Sequence, residues 1–448
     1  MGTTEKHLRR ELGVLGVTAI TAGIVIGAGV FVITGIAAKY AGPLTWISYA
    51  IGAVPVILVG LSTVMLNLMY PVESGESYVY PTRVIHKYVG FLSGWAMWLA
   101  LIGPVAITAK AFIMYTNALP GLQTQLNVII GGVIVTLIFF IVNWLGIKTV
   151  SIIQNILFIF MVAGLAIYIL LGLPNMSMEN LTMASPMGFS GVWKGASLLI
   201  FAYAGLTLAA DLGEEAKDPA RTITWGIVLG VTIPAILYIL SAFVSTGVIP
   251  WEEFANSDAP YATVAAKYMG SFGVTFIIIV AFAAILSSHN AEQTVGARIL
   301  FGTSRDKILP KSFTSINRFG IPGNALILTA AVAIFLIVSG TIQLVAEIVV
   351  AMFLFNWIIT HVAVIMAPKT QPILYEKAPL KLNGWKAIFP WVGIIISVSL
   401  LLTQGWKALL YFVVWLAIGT VFYAIGYSQR KEEINKLIIE WPRDRYLE

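Results

Sequence analysis

The sequence contains no cysteine and few charged residues. Without cysteine the chain can form no disulfide bond, thiolate nucleophile or cysteine-ligated metal site. Charged residues make up 11% of the 448 residues, too few to cover the surface of a soluble globular protein. The chain also lacks the HExxH, GxSxG and GxxxxGK[ST] patterns of zinc peptidases, serine hydrolases and P-loop enzymes. We therefore expect no enzyme, no catalytic residue, and no bound metal or cofactor.

Long apolar blocks fill most of the chain. Hydrophobic residues make up 58% of it, in blocks of about 20 residues, the length that crosses a bilayer core of about 30 Å. These blocks predict about twelve transmembrane spans, near 12–38, 44–69, 88–118, 124–147, 151–173, 190–212, 222–249, 271–301, 324–340, 343–366, 387–403 and 407–427. Pro55, Pro104 and Pro234 lie inside blocks, where we expect kinks. The sequence thus predicts an all-α polytopic membrane protein, one transmembrane domain over 1–448, in contact with the lipid bilayer.

The basic residues indicate how the chain crosses the membrane. Most of the 27 Lys and Arg residues lie in the N-terminal segment, the C-terminal tail and alternate loops between spans. Cytoplasmic loops carry such an excess. An even number of spans then predicts cytoplasmic N- and C-termini in the cell membrane. Because the basic residues share no single face, we expect no nucleic-acid partner.

Small residues occupy the centre of the first apolar block, and two interpretations are open. Gly23 and Gly27 form a GxxxG pair, which brings helix backbones into close contact in lipid. Alternatively, the helix breaks between Gly27 and Gly29, which is tolerated only where the backbone lines a cavity. The exposed N–H groups and positive dipole end of the outer half-helix would then suit a carboxylate.

The sixth block has a second central cluster, Phe201-Ala202-Tyr203-Ala204-Gly205. If the first and sixth spans are equivalent members of two inverted repeats, their breaks face each other at the membrane midplane. Phe201 would then cover a bound ligand from one side. The alternative for Phe201 is an aromatic side chain that packs against lipid or another helix.

Four motifs occur in order along the chain. They are Gly23 to Phe31 in the first span, Pro71 to Tyr80 followed by Gly90 to Trp95, Phe201 to Gly205 continuing to Glu214 to Arg221, and Ser304 to Pro310 after the eighth span. At these positions they resemble the amino acid–polyamine–organocation (APC) superfamily of transporters. The resemblance implies a LeuT-like fold and an amino acid transporter that works by alternating access.

The resemblance also implies a division of the chain. Two inverted five-helix repeats would cover 12–173 and 190–366, two additional helices 387–427, and a cytoplasmic tail 428–448. The first and sixth helices of this fold are interrupted in mid-membrane. Substrate would bind where these two interruptions meet.

The implied site is built from backbone groups. Amides of Ala28, Gly29 and Val30 would hold the substrate carboxylate, and carbonyls of both interruptions would meet its ammonium. The implied substrate-binding residues are Val25, Ile26, Gly27, Ala28, Gly29, Val30, Phe201, Ala202, Ala204 and Gly205, with Phe201 as the gate. The side-chain pocket alone would then set selectivity.

The prediction of the substrate class depends on one position at which this chain differs from the family pattern. Family members for charged substrates often carry an acidic residue shortly after the glycine of the sixth helix, where this chain has Leu206 and Thr207. A neutral L-amino acid is therefore predicted. A polyamine or organic cation transporter of the same fold and a channel are the alternatives.

The coupling ion stays open between H⁺, Na⁺ and exchange without an ion. Met161 stands where some proton-coupled relatives carry a lysine. Ser287 and Ser288 lie near the depth at which sodium-coupled relatives use hydroxyls, although serine in a helix also bonds back to the preceding turn. His289 and Glu292, three residues apart on one helix face, either relay a proton or bond a neighbouring helix. Nothing in the sequence indicates the oligomeric state.

Other titratable residues lie within spans but toward the ends. For Lys110, Asp211 and Glu347 we expect side chains that reach interfacial water. His361 lies within the tenth predicted span.

Overall fold

The computed structural model describes residues 12–70, 76–122, 125–146, 151–181, 184–203, 205, 210, 216–305 and 308–439. These residues form helices and their connections, with one isolated parallel β-bridge between Leu12 and Ala216. Asp211 and the motif positions 71–75, 206–209 and 211–215 lie outside the described residues.

The first half of the chain contains an interrupted helix followed by four long helices and the short helix α4. The elements are α1 (Val14–Val25), a π-helix (Gly29–Ile33), α2 (Thr34–Ala41), α3 (Thr45–Met69), α4 (Glu76–Val84), α5 (Lys87–Asn117), α6 (Val128–Trp144) and α7 (Ser151–Gly172). Gly42 turns the chain between α2 and α3 with φ +59°, a backbone conformation that favours glycine.

The second half follows a similar order. Its elements are α8 (Gly188–Leu199), a 3₁₀ helix (Ile200–Tyr203), α9 (Pro219–Val248), α10 (Trp251–Asn256), α11 (Pro260–Arg305), α12 (Gly323–Ser339), α13 (Ile342–Thr370), α14 (Pro372–Lys377), α15 (Phe389–Leu401) and α16 (Trp406–Ile439). Side chains cap several of these helices: Asp218 accepts from the amide of Arg221 at α9, and Thr341 from that of Leu344 at α13.

The helices have the length and composition of membrane spans. Among the described residues, 7 helical runs are long and apolar enough to cross a bilayer, and the shorter apolar helices include α6, α12 and α15. Ile134, Ile138 and Ile141 are exposed along α6, as expected of a surface that contacts lipid. The protein is a polytopic all-α membrane protein.

The predicted spans match these helices, with differences at particular ends. The eighth span was predicted over 271–301, whereas α11 extends from Pro260 to Arg305 with a break at Gly270 (φ 60°, ψ −153°). The twelfth was predicted to end at 427, but α16 continues to Ile439. Hydropathy detects only the apolar part of a helix, so polar extensions were missed.

The centre of the molecule lies around α5. Of the most apolar 18-residue window of α5, 89% is buried, against 17% for α16. Helices α11 and α13 pack along α5, while the π-helix contacts the 3₁₀ helix Ile200–Tyr203. This packing places the interruptions of the first and sixth spans next to the most enclosed helix.

Candidate functional site

The first span is interrupted at the glycine cluster. Helix α1 ends at Val25, and Ile26 leaves the helical conformation with ψ 84°. The amide of Gly27 donates to the Val25 carbonyl at 3.0 Å, and the π-helix then begins at Gly29. Residues 25 to 33 are buried. The first amides of the segment that begins at Gly29 therefore lie inside the protein, at a helix start where no intrahelical acceptor is available.

Side-chain hydroxyls hold the carbonyls around this interruption. Tyr238 donates to the carbonyl oxygen of Val25 at 2.9 Å, and Tyr115 donates to that of Phe31 at 2.8 Å. Thr34 donates to Val30 at 2.5 Å. Each bond satisfies a buried carbonyl near the irregular backbone, and an unsatisfied carbonyl there would be costly. The fixed geometry of the interruption thus depends on two tyrosines that sequence reasoning missed.

A tyrosine cluster forms one wall beside the interruptions. Tyr49, Tyr203 and Tyr238 have ring centroids 5.3 to 6.0 Å apart. Tyr49 shares a 2.6 Å hydrogen bond with Thr34, and Tyr203 donates to the Tyr49 carbonyl at 3.1 Å. Buried tyrosines with partnered hydroxyls in apolar spans are the signal that could have found this wall.

The second interruption begins where α8 ends at Leu199 and the 3₁₀ helix continues to Tyr203. Gly205 then turns the chain with φ +94°, a conformation that a side chain would strain. Phe201, Ala202 and Gly205 are buried. Ala204, also predicted for the site, lies outside the described residues.

The two interruptions touch. A Cβ atom built on Gly29 would lie 2.5 Å from the Cα atom and 2.9 Å from the Cβ atom of Ala202. Real Cβ atoms essentially never come this close to another heavy atom. Glycine at position 29 therefore permits the contact, since only hydrogen fits between the two backbones.

A small cavity lies beside this contact. Its lining comes from four spans: Val25, Gly27, Ala28 and Gly29 of the first, Pro104 and Thr108 of α5, Phe201 of the sixth and Glu292 of α11. The centre of a water molecule can move within about 20 Å³, enough for about one water molecule. Phe201 is 6% exposed. The site is closed to an amino acid in this conformation, because the cavity is too small to hold one.

The structure brings together much of the predicted set. Val25, Gly27, Ala28, Gly29, Phe201 and Glu292 share the cavity lining. Ile26, Val30 and Ala202 are buried but do not line it. Pro104 and Thr108 were missed as lining residues. Pro104 was interpreted only as a kink, and no motif marked Thr108, because both lie in an unbroken apolar helix.

The candidate coupling residues have different surroundings. The Nδ1 atom of His289 shares a 2.9 Å hydrogen bond with Thr108, and its Nε2 atom has no hydrogen-bond partner among the described residues. Ser288 is buried and Ser287 half-buried. Neither serine lines the cavity, whereas Glu292 does.

The remaining titratable residues within spans are bound elsewhere. Lys110 and Glu347 are buried, so the expectation that they reach interfacial water was wrong. Lys110 donates to the carbonyl of Gly340, and Glu347 pairs with Lys194 at 2.8 Å. His361 shares a 2.8 Å hydrogen bond with Ser62. Each of these side chains therefore has a hydrogen-bond partner within the protein in place of water. The position of a residue along its helix does not identify such a partner.

Glu347 belongs to a larger polar network. Lys194 also donates to the carbonyl of Thr403 at 2.9 Å, while Gln343 and the amide of Gly405 donate to Glu347, each at 3.2 Å. This network ties α8 to α13 and to the turn between α15 and α16. Within the described ranges, no group of three or more His, Cys, Asp or Glu could hold a metal ion.

Comparison with known proteins gives matches over nearly the whole chain. A model of the amino acid permease family matches residues 16–429. A branched-chain amino acid permease of Bacillus subtilis, BcaP, is 29% identical over 96% of this chain and 96% of its own length. A methylthioribose transporter of the same species is 28% identical over the same shares. A glutamate/serine transporter, AimA, is 26% identical over 93% of this chain and 82% of its own length.

Proposed function

The chain belongs to the amino acid permease family, and on that premise we propose that it carries neutral L-amino acids across the membrane by alternating access. One observation carries the proposal. The interruptions of two spans meet through Gly29 and Ala202, beside a cavity that residues of the first interruption line. Irregular backbone inside a membrane protein is tolerated where it is buried or lines a cavity, and such interruptions bind substrate in secondary transporters.

The proposed binding groups are backbone atoms. Amides at Ala28, Gly29 and Val30 would hold the substrate carboxylate, since the start of a helix favours an anion. Carbonyls of Val25, Ile26, Phe201, Ala202 and Ala204 would accept from the ammonium. Gly27 and Gly205 would permit the two turns. The Gly27 amide and the Tyr238 hydroxyl already donate to the Val25 carbonyl. Because a carbonyl oxygen has two lone pairs, the ammonium would bind there in place of one of these two donors.

Phe201 is proposed as the gate. Its ring lines the cavity and is buried in the closed state. A cavity with room for about one water molecule must enlarge before an amino acid enters. Movement of Phe201 together with the interrupted segments would open the site toward one side of the membrane and then the other.

The proposal of a neutral side chain has two supports. Val25, Pro104 and Phe201 give the cavity an apolar portion, and two of the relatives are named as permeases for branched-chain amino acids. The relatives nevertheless differ in named substrate, including methylthioribose and glutamate or serine. The particular amino acid is therefore a question for measurement.

We propose the inverted-repeat arrangement for the same chain. Equivalent elements of the two proposed repeats, 12–173 and 190–366, pack directly against each other: the π-helix with the 3₁₀ helix, α3 with α9, α5 with α11 and α6 with α12. A two-fold axis between two repeats would bring these pairs together. The excess of basic residues in alternate loops supports cytoplasmic termini and a place in the cell membrane.

The test is uptake of labelled L-amino acids into proteoliposomes. Leucine, isoleucine, valine, serine, glutamate and arginine would be supplied separately, under a proton gradient, under a sodium gradient, and with unlabelled amino acid inside. Saturable uptake of leucine, isoleucine, valine or serine, together with counterflow, would support a neutral amino acid transporter. Flux without saturation or counterflow would indicate a channel. No movement of any amino acid by folded protein would overturn the proposal and turn the search to polyamines and organic cations.

A further inference from the structure

Glu292 is a buried carboxyl group on the wall of the central cavity. It is 8% exposed, and it lines the cavity together with Ala28, Gly29 and Phe201. Its Oε2 atom has no hydrogen-bond partner in the part of the chain that the structure describes. The other polar side chain in the lining, Thr108, shares a hydrogen bond with His289. The remaining polar groups of the lining belong to the backbone.

Among the residues that the structure describes, no cation on a neighbouring helix pairs with this carboxyl group. On α11 itself, His289 is bonded to Thr108, Lys267 pairs with Glu253 at 3.2 Å, and Arg298 is exposed. On α5, the buried Lys110 donates to the carbonyl of Gly340.

The other elements packed against α11 also place no described charged side chain on the cavity lining. Helices α1, α6, α7 and α12 and the π-helix contain no acidic or basic residue, and their titratable side chain is the tyrosine Tyr168. The remaining charged residues and tyrosines lie on four neighbouring elements and on α11 itself. On the neighbours they are Lys87, Tyr88 and Tyr115 of α5, Arg221 and Tyr238 of α9, Glu252 and Glu253 of α10, and Lys311 of the 3₁₀ helix Lys311–Thr314. On α11 they are Tyr261, Tyr268 and Arg305. None of those whose side chains the structure describes lines the cavity.

An ionised Glu292 is therefore poorly accommodated in the closed site. Burying a carboxylate without a hydrogen-bond donor or cation costs far more than burying the neutral acid. Bound substrate sharpens the conflict, because the proposed site for its carboxylate lies in the same cavity. Two carboxylates in one enclosed space cannot both stay ionised.

We propose that the substrate site closes only when one positive charge neutralises Glu292, and that a proton supplies this charge when the substrate is a neutral amino acid. The inference rests on the proposed function. The proton binds to a carboxylate oxygen of Glu292 while the site is open to water on one side. It stays bound through closure and can leave to water once the site opens again. A substrate with a cationic side chain would supply the same charge itself.

The consequence is a dependence of transport on pH. In the open site Glu292 meets water and exchanges its proton with the solvent over a limited pH range. Above that range the protonated fraction falls about tenfold for each pH unit. Exchange limited by closure should fall with it. Because the proton can remain bound through closure with or without substrate, this dependence needs no proton gradient.

The experiment is exchange of L-leucine and of L-lysine in proteoliposomes with equal pH on both sides, from pH 5 to pH 9. We expect leucine exchange to fall by up to about tenfold per pH unit and Glu292→Gln to remove the slope. Glu179→Gln, which changes an exposed carboxyl group in an outer connection, should keep it. If lysine is exchanged, its rate should hold at high pH and fall in Glu292→Gln.

The outcomes separate the two proposals. Exchange of neither amino acid by folded wild-type protein, together with failure of the uptake test above, would overturn the proposed function and this inference with it. Leucine exchange that is flat across the pH series would overturn the inference alone, without the need for any variant. The same holds if the slope survives Glu292→Gln but disappears in His289→Asn, since His289 is the competing titratable group beside the cavity.

Discussion

Gly29 and Ala202 lie in such close contact that a side chain on Gly29 would begin 2.5 Å from the Cα atom of Ala202. The residues are far apart in sequence and belong to the interruptions of two different spans. Their contact joins the two halves of the proposed substrate site.

Gly29→Ala and Gly29→Val should separate the interruptions. Overpacking of this kind costs about 1–3 kcal/mol, so we expect amino acid uptake to fall by about tenfold or more with alanine and to be lost with valine. Gly302→Ala is the matched control, because a Cβ atom at this helical glycine would have no heavy atom within 4 Å. Wild-type uptake by Gly29→Val protein would contradict the backbone site.

Tyr238→Phe should destabilise the protein by about 0.5–1.5 kcal/mol, because the buried Val25 carbonyl would lose one of its two donors and keep only the Gly27 amide. The measurement is the free energy of unfolding, or the thermal midpoint, in detergent. Tyr423→Phe provides the control, since the buried hydroxyl of Tyr423 has no hydrogen-bond partner among the described residues. An equal loss of stability in both variants would show that the bond to Val25 contributes nothing specific.

Phe201→Ala should weaken substrate binding more than it weakens folding. Removal of an aromatic cover from a bound ligand forfeits about 1.5–3 kcal/mol of apolar contact, which corresponds to an increase in KM of about tenfold to a hundredfold. Uptake kinetics measure this change. Phe272→Ala removes a ring that is 73% exposed and should leave KM unaltered; an unaltered KM in Phe201→Ala as well would remove Phe201 from the gate.

The Lys194–Glu347 pair should behave as a buried ion pair. Lys194→Met or Glu347→Gln alone leaves a buried charge without its partner, at a cost of up to about 3–5 kcal/mol, and the double variant should recover much of this loss. Unfolding midpoints of the two single variants and the double variant complete the cycle. The exposed pair Lys267–Glu253, at 52% and 41% side-chain exposure, should show a coupling of about 0–1 kcal/mol. Additive losses at Lys194 and Glu347 would contradict the coupling.

Sequence reasoning located the interruptions but not the groups that hold them. Small residues in an apolar block such as Gly27 to Gly29 report a local backbone property, so they predict the position of a break. Tyr238 and Val25, in contrast, are 213 positions apart. No local pattern connects a tyrosine in one apolar block with a carbonyl in another.

The same limit explains the errors on charged residues. Lys110 and Glu347 lie near helix ends, and the position along a helix suggested contact with water. Their actual partners, Gly340 and Lys194, come from other parts of the chain. Glu292 was identified as a titratable residue in a span, but only the fold shows that it faces the same cavity as Gly29.

The volume of that cavity also bears on the electrical properties of the membrane. A space for about one water molecule cannot contain a file of connected waters, so no hydrated ion fits in this cavity in the described conformation. The cavity in this state therefore offers no continuous water path through which ions could discharge the membrane potential. Under the two proposals above, charge would cross at this site as cargo or as a proton bound to Glu292, and hence in counted units.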